Sequence, residues 1–408
     1  MADNNSNAPV SRLRYPTDYN LKSIVLYSPT LGGSLDLKSR LVELNYFEDI
    51  YNQSISGQLV ISDAVGILNL SGLNGTEFIK ITLEKSGDAS TTIDRNFRIF
   101  SVSDRSVNIS NNFESYTINF CSEELLLSQQ YRISKSYVGQ AISDIIYDIA
   151  TNFLQIQKPV SIEDTYGQYD FVLPNKRIFE TINWLSTYAQ PMQGATGTQN
   201  GSGADMLFYE NSQGYFFNSL QTLYKQDASL TFFFDPKNVS ALNGQPNINQ
   251  DLFNAMKFEI LDSFDTLGAI NKGTFANRLI TFDVLTRTKT VTDFNYNDYF
   301  NSSDGMNGSP LTNNYQNRYG KYIFDSPPQN MEAGVLRMLA GNNDEQTAPY
   351  IIQKPGAVAS NIYAENYIPN RVAQIALANH TRVRITVPGN VEVCVGLTVN
   401  FKIGRAHV

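Results

Sequence analysis

Two histidines in 408 residues leave little material for imidazole chemistry, and two cysteines and one tryptophan are equally sparse. Two His and two Cys cannot build a usual zinc site, and neither an HExxH nor a paired CxxC occurs. Cys121 and Cys394 cannot make a disulfide framework. Each lies in an apolar, strand-like run, so both are read as buried free thiols in a reducing compartment. No run of about 18 apolar residues is present, which excludes a helical membrane span. The first twenty residues, MADNNSNAPVSRLRYPTDYN, lack the apolar core of a secretory signal and read as a flexible arm. Basic residues are outnumbered, 31 against 39 acidic, for a net charge of −8, so a stable nucleic-acid-binding surface is not expected. GLNGTE and LGGSLD have the wrong spacing for a phosphate-binding loop.

The remaining candidates for catalysis are thin. His380, in LANHTRVRI, falls at a predicted helix end before a strand, where it caps carbonyls or faces solvent. Asp262 and Asp265 in ILDSFDTLG, and more loosely Glu163 and Asp170, are close carboxylates, but glycosidase chemistry needs two of them facing each other across a cleft. Asp262 and Asp265 are read instead as turn-making residues that end a strand. No catalytic residue, cofactor site or metal site is assigned.

What is abundant is aromatic and strand-forming: 24 Phe, 23 Tyr, and much Asn, Ser and Thr. In SISGQLVISDA, Ile55, Gly57, Leu59 and Ile61 share one face, and Asp63 closes the strand. GTEFIKITLEKSG, NFRIFSVSDRSVNIS and FESYTINFCSEELL continue the pattern with short polar turns, a meander that must curl into a small barrel or sandwich. A helix is expected over SYVGQAISDIIYDIATNFL, capped at Ser134 or Ser136, and a shorter one over RIFETINWLSTYAQ after Pro174-Asn175. In the latter, Ile178, Ile182, Leu185 and Ala189 form the buried stripe with Trp184 at its flank. Residues 190–205 read as an exposed loop, MLFYEN and GYFFNSL as a hairpin around ENSQG, and ALNGQPNINQD as another loop. Residues 255–270 and 277–300 read as strand-rich, and 301–350 as an insertion. The final stretch reads as a helix and two strands joined by Pro388-Gly389-Asn390.

The ordered set of four segments resembles a family: the baseplate hub proteins of contractile-tailed, T-even-like bacteriophages. The segments are LVELNYFEDIYNQSISGQLVISDAVGILNLSGLNGTEFIKITL, YDFVLPNKRIFETINWLSTYA, FEILDSFDTLGAINKGTFANRLITFDVLTRTKTVTDFNY and ENYIPNRVAQIALANHTRVRITVPGNVEVCVGLTVNF. Together they extend the likeness over roughly residues 21–403. The resemblance implies a mainly β chain with inserted helices and two tube-like antiparallel β-barrel domains. It implies a first barrel over 21–130, then a helical connector and the start of the second β-domain over 131–250. Continuation and insertion follow over 251–350, and a return segment over 351–403. It further implies a homotrimer that adapts a sixfold tail tube above to a threefold spike or tail-lysozyme protein below, with DNA passing through without stable binding. Such a protein resides in the virion and assembles in the host cytoplasm without membrane insertion. The matching residues are fold-specifying: Glu48, Ser56, Gly57, Asp63, Gly66, Gly75, Pro174, Trp184, Pro388, Gly389 and Gly396. Two other readings compete: a tail-associated peptidoglycan or polysaccharide hydrolase, and a spike protein of a contractile secretion system.

The last letters, IGRAHV, break the strand pattern before them. They can be encoded by the start of a widely used sequencing adapter followed by a stop. Residues 404–408, together with Ile403, are therefore expected to be non-native, Arg405 and His407 to carry no function, and the second barrel to be incomplete.

Overall fold

The computed structural model describes residues 19–29, 32–67, 72–85, 88–108, 113–192, 205–234, 241–242, 245–246, 253–283, 287–296, 318, 329–335, 358–359, 364–378 and 381–404. The chain is mainly β with few helices. Its first part is one antiparallel sheet built from β1 (Tyr19–Ser28), β2 (Gly33–Asp36), β3 (Leu41–Phe47), β4 (Ser56–Asp63), β5 (Phe78–Lys85), β6 (Asp88–Asn108) and β7 (Phe113–Cys121). The spatial order is β2-β1-β5-β6-β7-β4-β3, so the sheet curls but keeps two edges among the described residues. β1 begins at Tyr19, inside the arm read from the sequence.

The curl comes from β6. Its first half pairs with β5, up to Phe78 opposite Arg98, and its second half pairs with β7, from Arg98 opposite Cys121 onward. Register shifts at Ile99/Ser101 and Ser103/Ser106, with Asp104 at φ 53°, bend the strand where it changes partner. The inner face is apolar: Ile24, Leu26, Leu59, Ile61, Ile79, Ile81, Phe97, Ile118 and Phe120 form one core. The alternation read in β4 holds, since Ile55, Leu59 and Ile61 are fully buried. Gly57 occupies the point where a side chain has no room: a Cβ there would lie 2.2 Å from the Phe120 ring and 2.4 Å from the Asn45 carbonyl oxygen.

The second part begins with α1 (Glu123–Gln130), β8 (Arg132–Ile133) and β9 (Ser136–Gln140), then α2 (Ile142–Asp148), which widens into a π turn over Ile149–Phe153. The helix expected from Ser136 therefore starts six residues later. Gly139 adopts φ 63° and its N–H donates to the Asp170 carboxylate, while Tyr137 pairs with Phe171; both hold this stretch extended. Ser134 and Ser136 cap nothing: the N-cap is Ala141, which offers no side-chain bond. From Ile142 the stripe is as read, with Ile142, Ile145, Ile146, Ile149, Ala150 and Leu154 fully buried.

There follow β10 (Val160–Ile162), β11 (Tyr169–Val172), β12 (Lys176–Arg177), α3 (Ile178–Ser186), β13 (Met206–Asn211), β14 (Gly214–Ser219), α4 (Leu220–Lys225) and β15 (Leu230–Phe234). β13 and β14 form the hairpin read around ENSQG. The stripe of α3 and residues of this hairpin share a second core with α2. Most of the loop read at 190–205 lies outside the described residues, as do His380 and His407. Within ALNGQPNINQD, β16 (Ala241–Leu242) and β17 (Gln245–Pro246) pair as a short ladder.

The last part holds β18 (Lys257–Asp262), α5 (Thr266–Asn271), β19 (Ala276–Asp283), β20 (Thr288–Asn295), β21 (Gln329–Val335), β22 (Val358–Ala359), α6 (Ala364–Ala378), β23 (Arg382–Thr386) and β24 (Val399–Ile403). Residues 266–271, read as strand, form a helix because the Asp265 carboxylate accepts the Gly268 N–H and caps its start. Asp262 ends β18 as read, whereas Asp265 caps a helix. β23 and β24 do not pair with each other across the Pro388-Gly389-Asn390 turn. β23 pairs antiparallel with β18, and β24 pairs parallel with β15, because residues 387–398 run between them as a long connection. Cys394 lies in that connection rather than in a strand. Much of the stretch read as an insertion lies outside the described residues, but β21 within it runs parallel to β19 over seven residue pairs.

Replacing Gly57 by Ala is expected to destabilise the chain by about 1–3 kcal/mol through overpacking against Phe120 and Asn45. A lowered melting temperature in calorimetry checks this, and an unchanged one refutes the steric account.

Candidate functional site: a buried carboxylate junction

The residues singled out from the sequence fall at turns and at one junction. Asp63 turns the chain after β4, its carboxylate accepting the N–H groups of Val65, Gly66 and Ile67, with Gly66 at φ 77°. Gly75, at φ 90°, donates its N–H to the buried Glu77 carboxylate, a partner that sequence reading passed over. Pro174 is exposed and precedes Asn175, which is left-handed at φ 51°. Trp184 stands edge-on to Phe171 and Tyr188, with centroids 5.3 and 5.4 Å away. Pro388 is buried and Gly389 exposed. Glu163 and Asp170 do not form a pair: Glu163 binds Ser219 and Thr222, and Asp170 binds Gly139.

Glu48 is bonded to Val395, the residue before Gly396, far along the sequence. The Val395 N–H donates to Glu48 Oε2 at 2.9 Å, and the Ser212 N–H is a second donor. Burial raises the Glu48 pKa, and the nearby Glu210 charge adds to this, while the two backbone donors and Arg95 oppose it. Gly396 sits at φ 88° against the Tyr209 hydroxyl, where a Cβ would approach to 2.4 Å. Asn211 explains why the return segment docks here. Its Oδ1 accepts the N–H groups of Gln213 and Gly214, which shapes the β13–β14 turn, and its Nδ2 donates to the Val395 carbonyl at 2.9 Å. Arg95 of β6 donates to the Ser212 carbonyl at 2.6 Å from the other side.

Beside this lies Glu210, only 1% exposed. Its carboxylate accepts the Ile55 N–H at 2.9 Å, the Tyr215 hydroxyl at 3.1 Å and the Lys158 ammonium at 2.5 Å. Lys158 also binds Glu124 at 2.9 Å. Sequence reading missed Glu210, Lys158 and Asn211. The available signal was a charged residue inside the aromatic run MLFYEN, where alternation predicts a buried position.

The junction's chemistry is that of a staple. Burial and the charges of Glu210 and Glu124 push the Cys121 thiol up to about 11, and burial with Glu48 raises Cys394, so neither is a ready nucleophile. Both carboxylates are held by donors from the protein itself. Among the described residues no group of three or more His, Cys, Asp or Glu side chains is placed to hold a metal ion.

No family model matches the chain, and no curated protein sequence matches it. Among solved structures, it is similar to the tail protein from Neisseria meningitidis MC58, with a TM-score of 0.49 and 10% identity over 94% of this chain and 86% of that one. It is also similar to the 43 kDa tail protein of prophage MuSo2 from Shewanella oneidensis, with a TM-score of 0.44 and 11% identity over 90% and 82%. A Francisella PdpA–VgrG complex gives 0.38 and 15% over 81% and 42%.

Lys158→Met should cost about 3–5 kcal/mol, because it leaves Glu210 buried without its cation. Urea unfolding measures this, and a loss under about 1 kcal/mol would show that Glu210 does not depend on the pair. Elsewhere, Asp205, at the foot of β13, is driven up to about 7 by burial, with the Glu163 charge adding and Arg371 opposing. An unfolded Asp titrates near ~3.9, so Asp205 supports folding fully below about pH 4 and loses that contribution as pH rises to about 7. Asp205→Asn should flatten this downward slope, read as the difference between the two proteins' unfolding free energies at several pH values.

Proposed function

We propose that this chain is a structural, non-enzymatic virion protein: the central baseplate hub of a contractile phage tail. In this reading it is a homotrimeric adapter between a sixfold tail tube above and a threefold spike below, and it lines part of the DNA channel. The two tube-like domains, the first over 21–130 and the second begun within 131–250 and resumed over 351–403, belong to the same proposal. So do the fold-specifying roles of Glu48, Gly57, Asp63, Gly66, Gly75, Pro174, Trp184, Pro388, Gly389 and Gly396.

One observation carries the reading. Of the four segments that resemble hub proteins, the first and the last are bonded to each other through Glu48 and Val395, 347 residues apart in sequence. That joint between the first and last resembling segments is what supports the reading. Further support comes from the curled seven-stranded sheet and from the carboxylate junction, whose groups are engaged in holding segments together. A net charge of −8 suits a wall past which DNA slides, because like charges repel along a channel.

Light scattering on the full chain is expected to give about three chain masses. A strict monomer at micromolar concentration would overturn the hub assignment. Clearing of a cell-wall overlay that one carboxylate substitution abolishes would instead assign a hydrolase.

A further inference from the structure

The turn before β5 gathers the parts of an acyl transfer around one side-chain amide. Asn74, Gly75 and Thr76 are exposed there, and the Glu77 that follows them is fully buried. Asn-Gly steps also occur at Asn200, Asn243 and Asn307, but only Asn74-Gly75 lies among the described residues. In such a step the glycine nitrogen can reach the asparagine Cγ, because the glycine brings no Cβ to obstruct it. Gly75 stands at φ 90° in open space. Its N–H, on the atom that would attack, donates to Glu77 Oε2 at 2.9 Å. Asn74 Oδ1, the oxygen that turns negative when Cγ becomes tetrahedral, accepts two donors. They are the Thr76 N–H at 3.1 Å and the Thr76 hydroxyl at 2.6 Å. Because a backbone N–H only donates, the atom facing it is the oxygen and not the nitrogen of the amide. The sheet holds these groups in place: Glu77 also accepts the Asn74 N–H at 3.2 Å, its carbonyl accepts the Ile99 N–H, and Arg98 donates to the Thr76 carbonyl at 3.3 Å.

We propose that Asn74 is a self-modification site, deamidated in the folded protein with Glu77 as the base and Thr76 as the donor to the oxyanion. The bond from Gly75 N to Asn74 Cγ forms and the Cγ–Nδ2 bond breaks. The proton taken from the Gly75 N–H leaves on Nδ2 as ammonia, and a succinimide ring closes. Water from the exposed face then opens the ring at either carbonyl, giving aspartate or isoaspartate, with no oxidant or cofactor involved. A base on the nucleophile and two donors on the developing charge are what such a transfer requires. The change also reaches the sheet. While the ring is closed, Gly75 N has no hydrogen to give, and the buried Glu77 loses its closest backbone donor. The proposal is independent of the hub reading, and its test needs no oligomer, so either can fail without the other.

The full chain is incubated at body temperature and sampled over time, and peptide mapping by mass spectrometry reads the Asn74-Gly75 step. A synthetic peptide spanning residues 70–80 is the unfolded reference. Asn74 is expected to convert about tenfold faster in the folded chain than in the peptide. Its rate should change little between about pH 6 and 8, where the peptide's rises with hydroxide, because the base is built in. Thr76→Val removes one donor at an exposed position and should slow the folded chain about tenfold or more without moving its melting temperature. Glu77→Gln should restore the dependence on hydroxide. That side chain is buried, so Thr76→Val decides the matter if the variant does not fold. Conversion no faster than in the peptide would overturn the proposal, and an Asn74 that stays intact while the peptide converts would assign the same contacts a protective role. An unchanged rate in Thr76→Val would overturn it as well.

Discussion

The carboxylate of Glu210 has almost no contact with water, and a bare charge in that position would unfold the structure around it. Its presence forces other segments to arrive with their donors. The backbone before β4 brings the Ile55 N–H, the stretch before β10 brings Lys158, and β14 brings the Tyr215 hydroxyl. Lys158 in turn holds Glu124 of α1. The first sheet, the first helix and the β13–β14 hairpin are thereby fixed to one another at a single point.

Such a junction contributes geometry more than stability. A buried ion pair seldom outperforms a well-packed apolar replacement, because desolvation offsets most of the attraction. What it supplies is intolerance of misplacement, since a shift of either part strands a charge. Glu48 extends the same logic to the return segment, and Asn211 couples the shape of a hairpin turn to the docking of Val395.

Local pattern made much of this legible. Alternation located the strands of the first sheet, and helical spacing located Ile178, Ile182, Leu185 and Ala189, all of which are buried. It failed where one residue outweighed its neighbours. Gly139 and the Asp170 carboxylate held 136–140 extended against an apparent helical stripe, and Asp265 turned an apparent strand into a helix. Pairing partners were not legible at all: β24 finds β15, and β21 finds β19, across long separations that no local spacing encodes. Within the junction, Glu48 and Gly396 were marked in advance because they matched a family pattern. Glu210 and Lys158 were not, because a charge in an aromatic run looks like noise until its counter-charge is placed.

The bond between Glu48 and Val395 also bears on the order in which the chain can assemble. The first sheet pairs mostly with itself through short turns, so it can form while synthesis continues. Glu48 must then wait, solvated, for a donor hundreds of residues further along the chain. Closing so long a loop adds only a slowly growing entropic cost but a large delay. The junction is therefore a late-closing clasp, and a nascent chain carries a finished sheet with one open carboxylate until the segment bearing Val395 emerges.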